Sequence, residues 1–531
     1  MSLPLQPSKK AFIITILALL LSVSLAEISP SASPNFEKYN TTYHDALEHS
    51  NNNRASEAEK ASSDFFNLYD SNDDTYSLDH SLKGKALILS AGIDLNNSAP
   101  HLGCPKVFEG KARVHLTESA NSSVMGDAYF LIGKCQLLYG NYSQAEDAFK
   151  TSQKIRTELF GENDTQVLEA RDGLARVYMK RGSLGAALKE CQDVLRIRHH
   201  EYKKFTPETL KSYLVMGDLY DLLGYFEGGL KLKSNAWDVI EYYGLTDTML
   251  ALNTLETLAI SWLHWDHPSR AVYQINSVYN MKKDRLTADN LNLMDTLFLY
   301  GRILHEKGDN DKAREKLEKA LNFRIGYWGP EHPDVGEAYH YIGLSYLNQS
   351  NWEKAAESLK KTIPIFEKYF NNEAPKVFKV YDSYGYALAK AGLKEKGKAF
   401  LDKAYQLATS YYPDCNYVVG NIAAHQADVL RDEHDNAGAI RKAEEAAECY
   451  AASYGEEHDT SLEAEETLAM DHYSSGNLDL AIEKLESVAQ KRTNQENPNL
   501  NKLKSTYLKL SEIFEKKFDF VRAIHYKTLS E

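Results

Sequence analysis

Two series of small residues, each repeating every 42 positions, constrain what this chain can fold into. One runs Gly133, Ala175, Gly217, Ala259, Gly301, Gly343, Gly385, Ala427, Ala469 and Ser511; the other, twelve residues later, runs Ala145, Ala187, Gly229, Ala271, Ala313, Ala355, Gly397, Ala439, Ala481 and Ala523. Gly, Ala and Ser make up about a fifth of an ordinary chain, so an unbroken run at all twenty places is a genuine repeat. A side chain no larger than a methyl group lets two antiparallel helices approach closely where they cross. Between the two small sites stands a turn residue, glycine at 140, 182, 224, 308, 392 and 476, replaced by Asp266, Ser350, His434 and Phe518. Glycine there serves a helix C-cap. Apolar residues such as Tyr142, Phe226, Trp352 and Phe520, then Phe149, Ile275, Leu317, Leu359 and Leu485, fill the space between the helices. Each unit is therefore a helical hairpin that buries its apolar face only by stacking on its neighbours. The expected fold class is all-α: a right-handed superhelical solenoid of about ten hairpins spanning 126–531.

The segments LARVYMKRGSLGAALKEC and YIGLSYLNQSNWEKAAESL resemble the tetratricopeptide repeat, with its small residue after Leu, then Tyr, then Ala and Phe. Units of 42 residues that close on Gly-x-x-His-Pro-x-Val, as GPEHPDV does from Gly329 to Val335, resemble the kinesin light chain subclass; GENDTQV at Gly161 and GEEHDTS at Gly455 are weaker copies. Phe160, Tyr202, Trp328, Phe370, Tyr412 and Tyr454 precede these connectors and are expected to anchor them. The tripeptide His332-Pro333-Asp334, which J-domain co-chaperones also carry, belongs on this reading to the repeating connector.

Residues 1–26 combine Lys9-Lys10, an apolar stretch to about Val23 and a small-residue Ser24-Leu25-Ala26 ending, the pattern of a secretory signal peptide cleaved after Ala26. Residues 27–60 are rich in Ser, Asn and acidic residues and read as a flexible linker, and 61–125 as a helical N-terminal cap. The expected location is the secretory lumen or the cell exterior, where the sequons at Asn40, Asn96, Asn121, Asn141, Asn163 and Asn348 are glycosylation candidates. Antiparallel packing brings Cys415 near Cys449, a disulfide candidate; Cys104 with Cys135 is a second pairing, and Cys191 sits on the core-facing series.

Net charge is −14, from 61 Lys and Arg against 75 Asp and Glu, which disfavours nucleic acid as a partner. No Gly-rich phosphate loop, Gly-x-Ser-x-Gly elbow or His-Glu-x-x-His helix is present, and no enzyme, cofactor or metal site is expected. His264 and His267 flank Asp266 in an inter-helix turn without further ligands nearby.

Resemblance to the tetratricopeptide family implies that the first helix of each hairpin lines a concave face that takes partner peptides. Lys134, Arg176, Asp218, Ile260 and Arg302 would lie on it, with Asp172, Glu256 and Glu466 three residues before a small site. The Lys, Asn, Asn, Lys, Arg clamp for chaperone tails is absent. Phe298, Arg302, His305, His340, Tyr341 and Tyr386 are the candidate peptide-binding residues, aromatic and cationic groups suited to an extended segment. The expected function is a non-enzymatic scaffold for protein or peptide partners. Two alternatives stand beside it: a substrate-binding subunit of a lumenal modifying enzyme, and, if the leader is misread, a cytosolic kinesin light chain-like adaptor.

Overall fold

A computed structural model of the chain describes residues 79–531 apart from 97–99, 116–120, 203–205, 224, 265–266, 371–373, 413–414 and 496–498. The expected signal peptide and linker, the first part of the expected cap and Asn40 lie outside the described residues, as do Asp266 and the side chains of Asn96 and His264. The described residues form 22 helices and no strand, and divide into two compact units, one up to Ala338 and one from Tyr339 to Glu531. This is the all-α repeat fold that the 42-residue period predicts.

The helices pair in chain order. The first unit contains α1 (Asp79–Asn96) with α2 (Pro100–His115), α3 (Ser123–Leu138) with α4 (Tyr142–Phe160), and α5 (Thr165–Arg181) with α6 (Leu184–Tyr202). It continues with α7 (Pro207–Leu223) and α8 (Phe226–Tyr242), α9 (Met249–His264) and α10 (Pro268–Lys283), α11 (Leu291–Glu306) and α12 (Asn310–Trp328). Then come α13 (Pro333–Leu347) and α14 (Trp352–Tyr369), α15 (Pro375–Lys390) and α16 (Lys394–Tyr411), α17 (Tyr417–Asp432) and α18 (Asn436–Tyr454). The last pairs are α19 (Asp459–Ser474) with α20 (Leu478–Asn494) and α21 (Leu500–Lys516) with α22 (Phe520–Ser530).

The small residues sit at the crossings. A methyl group on Gly343 would come 2.6 Å from Leu359 Cγ, and one on Gly385 would come 2.8 Å from the Gly397 carbonyl oxygen. The turn residue is left-handed in both chemistries: Gly308 and Gly392 have φ of 92°, and Ser350, His434 and Phe518 adopt φ of 55°, 63° and 61°. The cap region contributes α1 and α2, which extend the register backwards by one unit. Ala91 and Gly103 stand 42 residues before Gly133 and Ala145, and a methyl on Gly103 would lie 2.8 Å from the Ala91 carbonyl oxygen.

The connectors are built as anchored caps. Trp328 stacks on His332 with ring centroids 4.7 Å apart, and Tyr454 on His458 at 4.8 Å. In both, the His Nδ1 accepts the backbone N–H two residues on, from Asp334 and Thr460 at 3.2 Å, which caps the following helix. The His-Pro-Asp tripeptide is thus a helix-start element, with His332 buried. Its Nε2 donates to the Leu138 carbonyl oxygen at 2.8 Å, and Tyr139 meets Trp328 edge-on at 5.6 Å. The turn after α3 therefore touches the connector after α12, closing the first unit's array on itself.

Two disulfides are formed, Cys104–Cys135 joining α2 to α3 and Cys415–Cys449 joining the segment before α17 to α18; Cys191 is free and buried. Burial pushes the Cys191 thiol up to about 12, so it stays protonated and serves as core.

Candidate peptide-binding faces

The six candidate residues divide between the units, three in each. In the first, Phe298 and His305 are buried, which removes them from the binding face. The Arg324 guanidinium from α12 lies 3.9 Å over the Phe298 ring and covers it. His305 turns inward at the end of α11, its Nδ1 3.2 Å from Asn310 Oδ1. Arg302 remains partly exposed. In the second unit His340, Tyr341 and Tyr386 are all partly exposed; His340 packs against Tyr341 and, edge-on, against Phe366.

Tyr386 belongs to a polar ladder that crosses the first helices α15, α17 and α19. Its ring stacks on His425 at 4.2 Å, and its hydroxyl donates to Asp428 Oδ2 at 2.7 Å. His425 Nδ1 lies 2.8 Å from Asp382, Lys390 bridges Asp428 at 3.0 Å and Asp432 at 2.7 Å, and Arg431 joins Asp428 to Asp471. Burial works against a charged His425, but the charge and hydrogen bond of Asp382, with Asp428 beyond, outweigh it and raise its pKa. Burial also opposes the Asp428 carboxylate, yet the Tyr386 hydroxyl, Lys390 and Arg431 together lower its pKa. The ladder's side chains are fixed by one another: Asp382 and Asp471 are buried, while Tyr386, Lys390, His425, Asp428 and Arg431 stay partly exposed.

The corresponding face of the first unit is cationic around Lys134. Burial, then the charges of Lys211 and Arg176, lower this lysine to about 8 against the pull of Glu169. Glu169 itself accepts from Lys211 at 2.6 Å and is held down at about 2, burial notwithstanding.

A second set of charges, which the small-residue pattern does not reveal, lies within the stacks. Arg156, Arg198, Lys282, Arg324 and Arg492 are buried cations spaced at multiples of 42 on second helices. Each binds a carboxylate of its own first helix: Asp127 at 2.7 Å, Asp172 at 2.7 Å, Glu256 at 2.8 Å, Asp295 at 2.9 Å and Glu466 at 3.1 Å, in that order. Each also reaches the next hairpin, through Gln166 O, Ser212 Oγ, Asn292 Oδ1, Asp334 O and Lys502 O respectively. Asp172, Glu256 and Glu466, expected on the binding face, are committed to these clamps instead. Reading the 42-residue register at the Arg156 position would have found the series. Lys233 is a further exception, a buried cation where the core series from Phe149 to Leu485 otherwise holds Phe, Cys, Ile, Leu or Ala, paired with Asp221 at 2.6 Å and Asp218 at 3.0 Å.

Among the sequons, Asn121, Asn141, Asn163 and Asn348 have exposed side chains. Among the described residues no group of three His, Cys, Asp or Glu side chains is arranged to hold a metal ion, and no helix is long and apolar enough to cross a membrane.

These stacked hairpins define a helical-repeat protein with polar first-helix faces. The family model for the tetratricopeptide repeat matches residues 288–368, so that stretch of the 42-residue array carries tetratricopeptide repeats. The crystal structure of a Rap protein complexed with competence and sporulation factor is similar over 71% of this chain and 99% of its own, at 11% identity and a TM-score of 0.51. Repeats of a Podosopora anserina putative kinesin light chain align over 47% of this chain and 99% of theirs, at 15% identity and a TM-score of 0.26. Human IFIT1 bound to PPP-AAAA aligns over 85% of this chain and 90% of its own, at 15% identity and a TM-score of 0.43. No curated protein matches the sequence.

Proposed function

We propose that the chain is a non-enzymatic scaffold of the secretory lumen or the cell exterior that holds protein or peptide segments against the first-helix faces of its hairpins. The observation that carries the binding reading is the Asp382–His425–Tyr386–Asp428–Lys390 ladder. It displays donors and acceptors, already fixed by mutual pairing, at one-repeat spacing beside an aromatic ring. Preordering of this kind lowers the entropy lost when an extended peptide is bound. A Rap protein of the same fold is bound to a competence and sporulation factor, which supports the same use of the fold here. For the compartment, support comes from the signal-peptide pattern, from four of the five cysteines being paired, and from exposed sequons.

Placing a photo-activatable phenylalanine at position 386 of the full chain, expressed in its own cells, tests the binding face. Cross-links to defined segments of lumenal or extracellular proteins, reduced by Asp428→Ala, are expected. Cross-linking that is absent, or indifferent to that substitution, would refute this face. Intact mass before and after glycosidase, with N-terminal sequencing, tests the compartment: a start at Glu27 and glycan on the exposed sequons are expected. An intact leader without glycan would support the cytosolic adaptor.

A further inference from the structure

The turn-tip residues Gly308, Ser350, Gly392, His434 and Gly476 stay exposed within their stacks, so their chemistry is not dictated by stacking. Gly476, Gly392 and Gly308 occupy the first tip position with positive φ, and the position three residues on holds exposed Asp479, Glu395 and Asp311. The hairpin of α21 and α22 departs from this at both places. Phe518 takes the left-handed position, φ 61°, with 81% of its surface exposed, and Val521 takes the acidic position with 82% exposed. Phe520 lies between them, 58% exposed, its ring 6.4 Å from that of Phe518. A left-handed backbone is strained for a bulky side chain, and grouped exposed apolar side chains mark contact surfaces.

The surroundings indicate what the tip meets. Residues 500–531 carry seven Lys and Arg against four Asp and Glu, a local charge of +3 in a chain of −14. Lys516, Lys517 and Arg522 are exposed around the tip; Lys517 pairs with Asp479, and Arg522 with Asp519 at 2.7 Å. A two-fold contact with a second copy would set this basic surface against itself. The side chains project from a turn and do not line a groove, which suits a fluid apolar phase better than a shaped pocket. Aromatic and apolar groups ringed by Lys and Arg match the interface of a bilayer with anionic headgroups, where lysine stems run along the apolar layer and their ammonium groups stay at its edge.

We propose that the tip formed by Phe518, Phe520 and Val521 is a peripheral contact with an anionic lipid surface, with Lys516, Lys517 and Arg522 at the headgroups. It lies on the membrane and does not span it, and it acts independently of the first-helix faces.

The test is co-sedimentation of the full chain with vesicles of phosphatidylcholine alone and of phosphatidylcholine containing about 30% phosphatidylserine. The variant Phe518→Gly with Val521→Glu installs residue types the other turns already use. Phe518→Gly also relieves the left-handed strain, so a melting temperature at or above that of the parent controls for folding. Salt-sensitive binding to the anionic vesicles, at least about tenfold weaker in the double variant, is expected. Four outcomes would overturn the proposal: no binding to either vesicle; equal binding by the variant; self-association of the parent abolished by the same substitutions, making a second copy the occupant; or tip-dependent binding to an acidic protein with none to vesicles.

Discussion

Arg198 illustrates how one buried cation holds three helices: it is 1% exposed and joins Asp172 on α5 to Ser212 on α7 from its own place on α6. Asp172→Ala would leave that charge without its carboxylate, at a cost of about 3 to 5 kcal/mol in denaturant unfolding. Ala355 is fully buried at a crossing, and Ala355→Leu is expected to overpack it and cost about 1 to 3 kcal/mol, read from the unfolding midpoint. A neutral result there would contradict the repeat phase. The two kinds of position were not equally legible in the sequence. A small residue at a crossing is required in every unit and so repeats without a break. The cation is an option: Ile240, Phe366, Ala408 and Tyr450 stand at the same register, and the Tyr450 hydroxyl donates to Asn421 Oδ1 at 2.7 Å. Phe298 and His305 were misplaced for a related reason. Spacing along α11 says which helix they occupy, but the cover over Phe298 comes from Arg324 on another helix.

At the scale of the helix and its connector, protonation separates two histidines. Burial depresses the His332 pKa more than Asp334 and Leu138 raise it, so its contribution to stability is present above the unfolded-state value of 6.5 and lost as pH falls below it. For His425 the folded pKa is raised, so its contribution is full below 6.5 and is lost as pH rises through the higher folded value. Amide exchange followed from about pH 7.5 to about pH 5, the range over which histidine titrates, is expected to show α13's first turn losing protection while the α15 and α17 pairing gains it. Loss of both patterns in the same direction would contradict the assigned partners. The connector's anchoring role was readable from Trp328 and its 42-residue mates; that His332 would reach Leu138 was not, because 194 residues separate them.

For the whole molecule, the disulfides decide how the chain responds to reduction. Cys415–Cys449 ties residues 34 apart in the second unit, and Cys415→Ser is expected to lower stability by about 2 to 5 kcal/mol under non-reducing conditions. Unfolding of parent and variant should converge once a reductant is added, which calorimetry can follow. The period predicted the hairpins of both units but stopped one unit short, since residues 97–99 carry no turn glycine to announce α1 and α2. The meeting of Leu138 with His332 has a consequence of its own. An open row of repeats is a chain of links in series, and any one of them can part without consulting the others. Fastening the third helix to the connector after the twelfth turns that row into a hoop, so that parting any joint between them must also strain or break the clasp. Opening a joint among these five hairpins is then coupled to breaking that clasp.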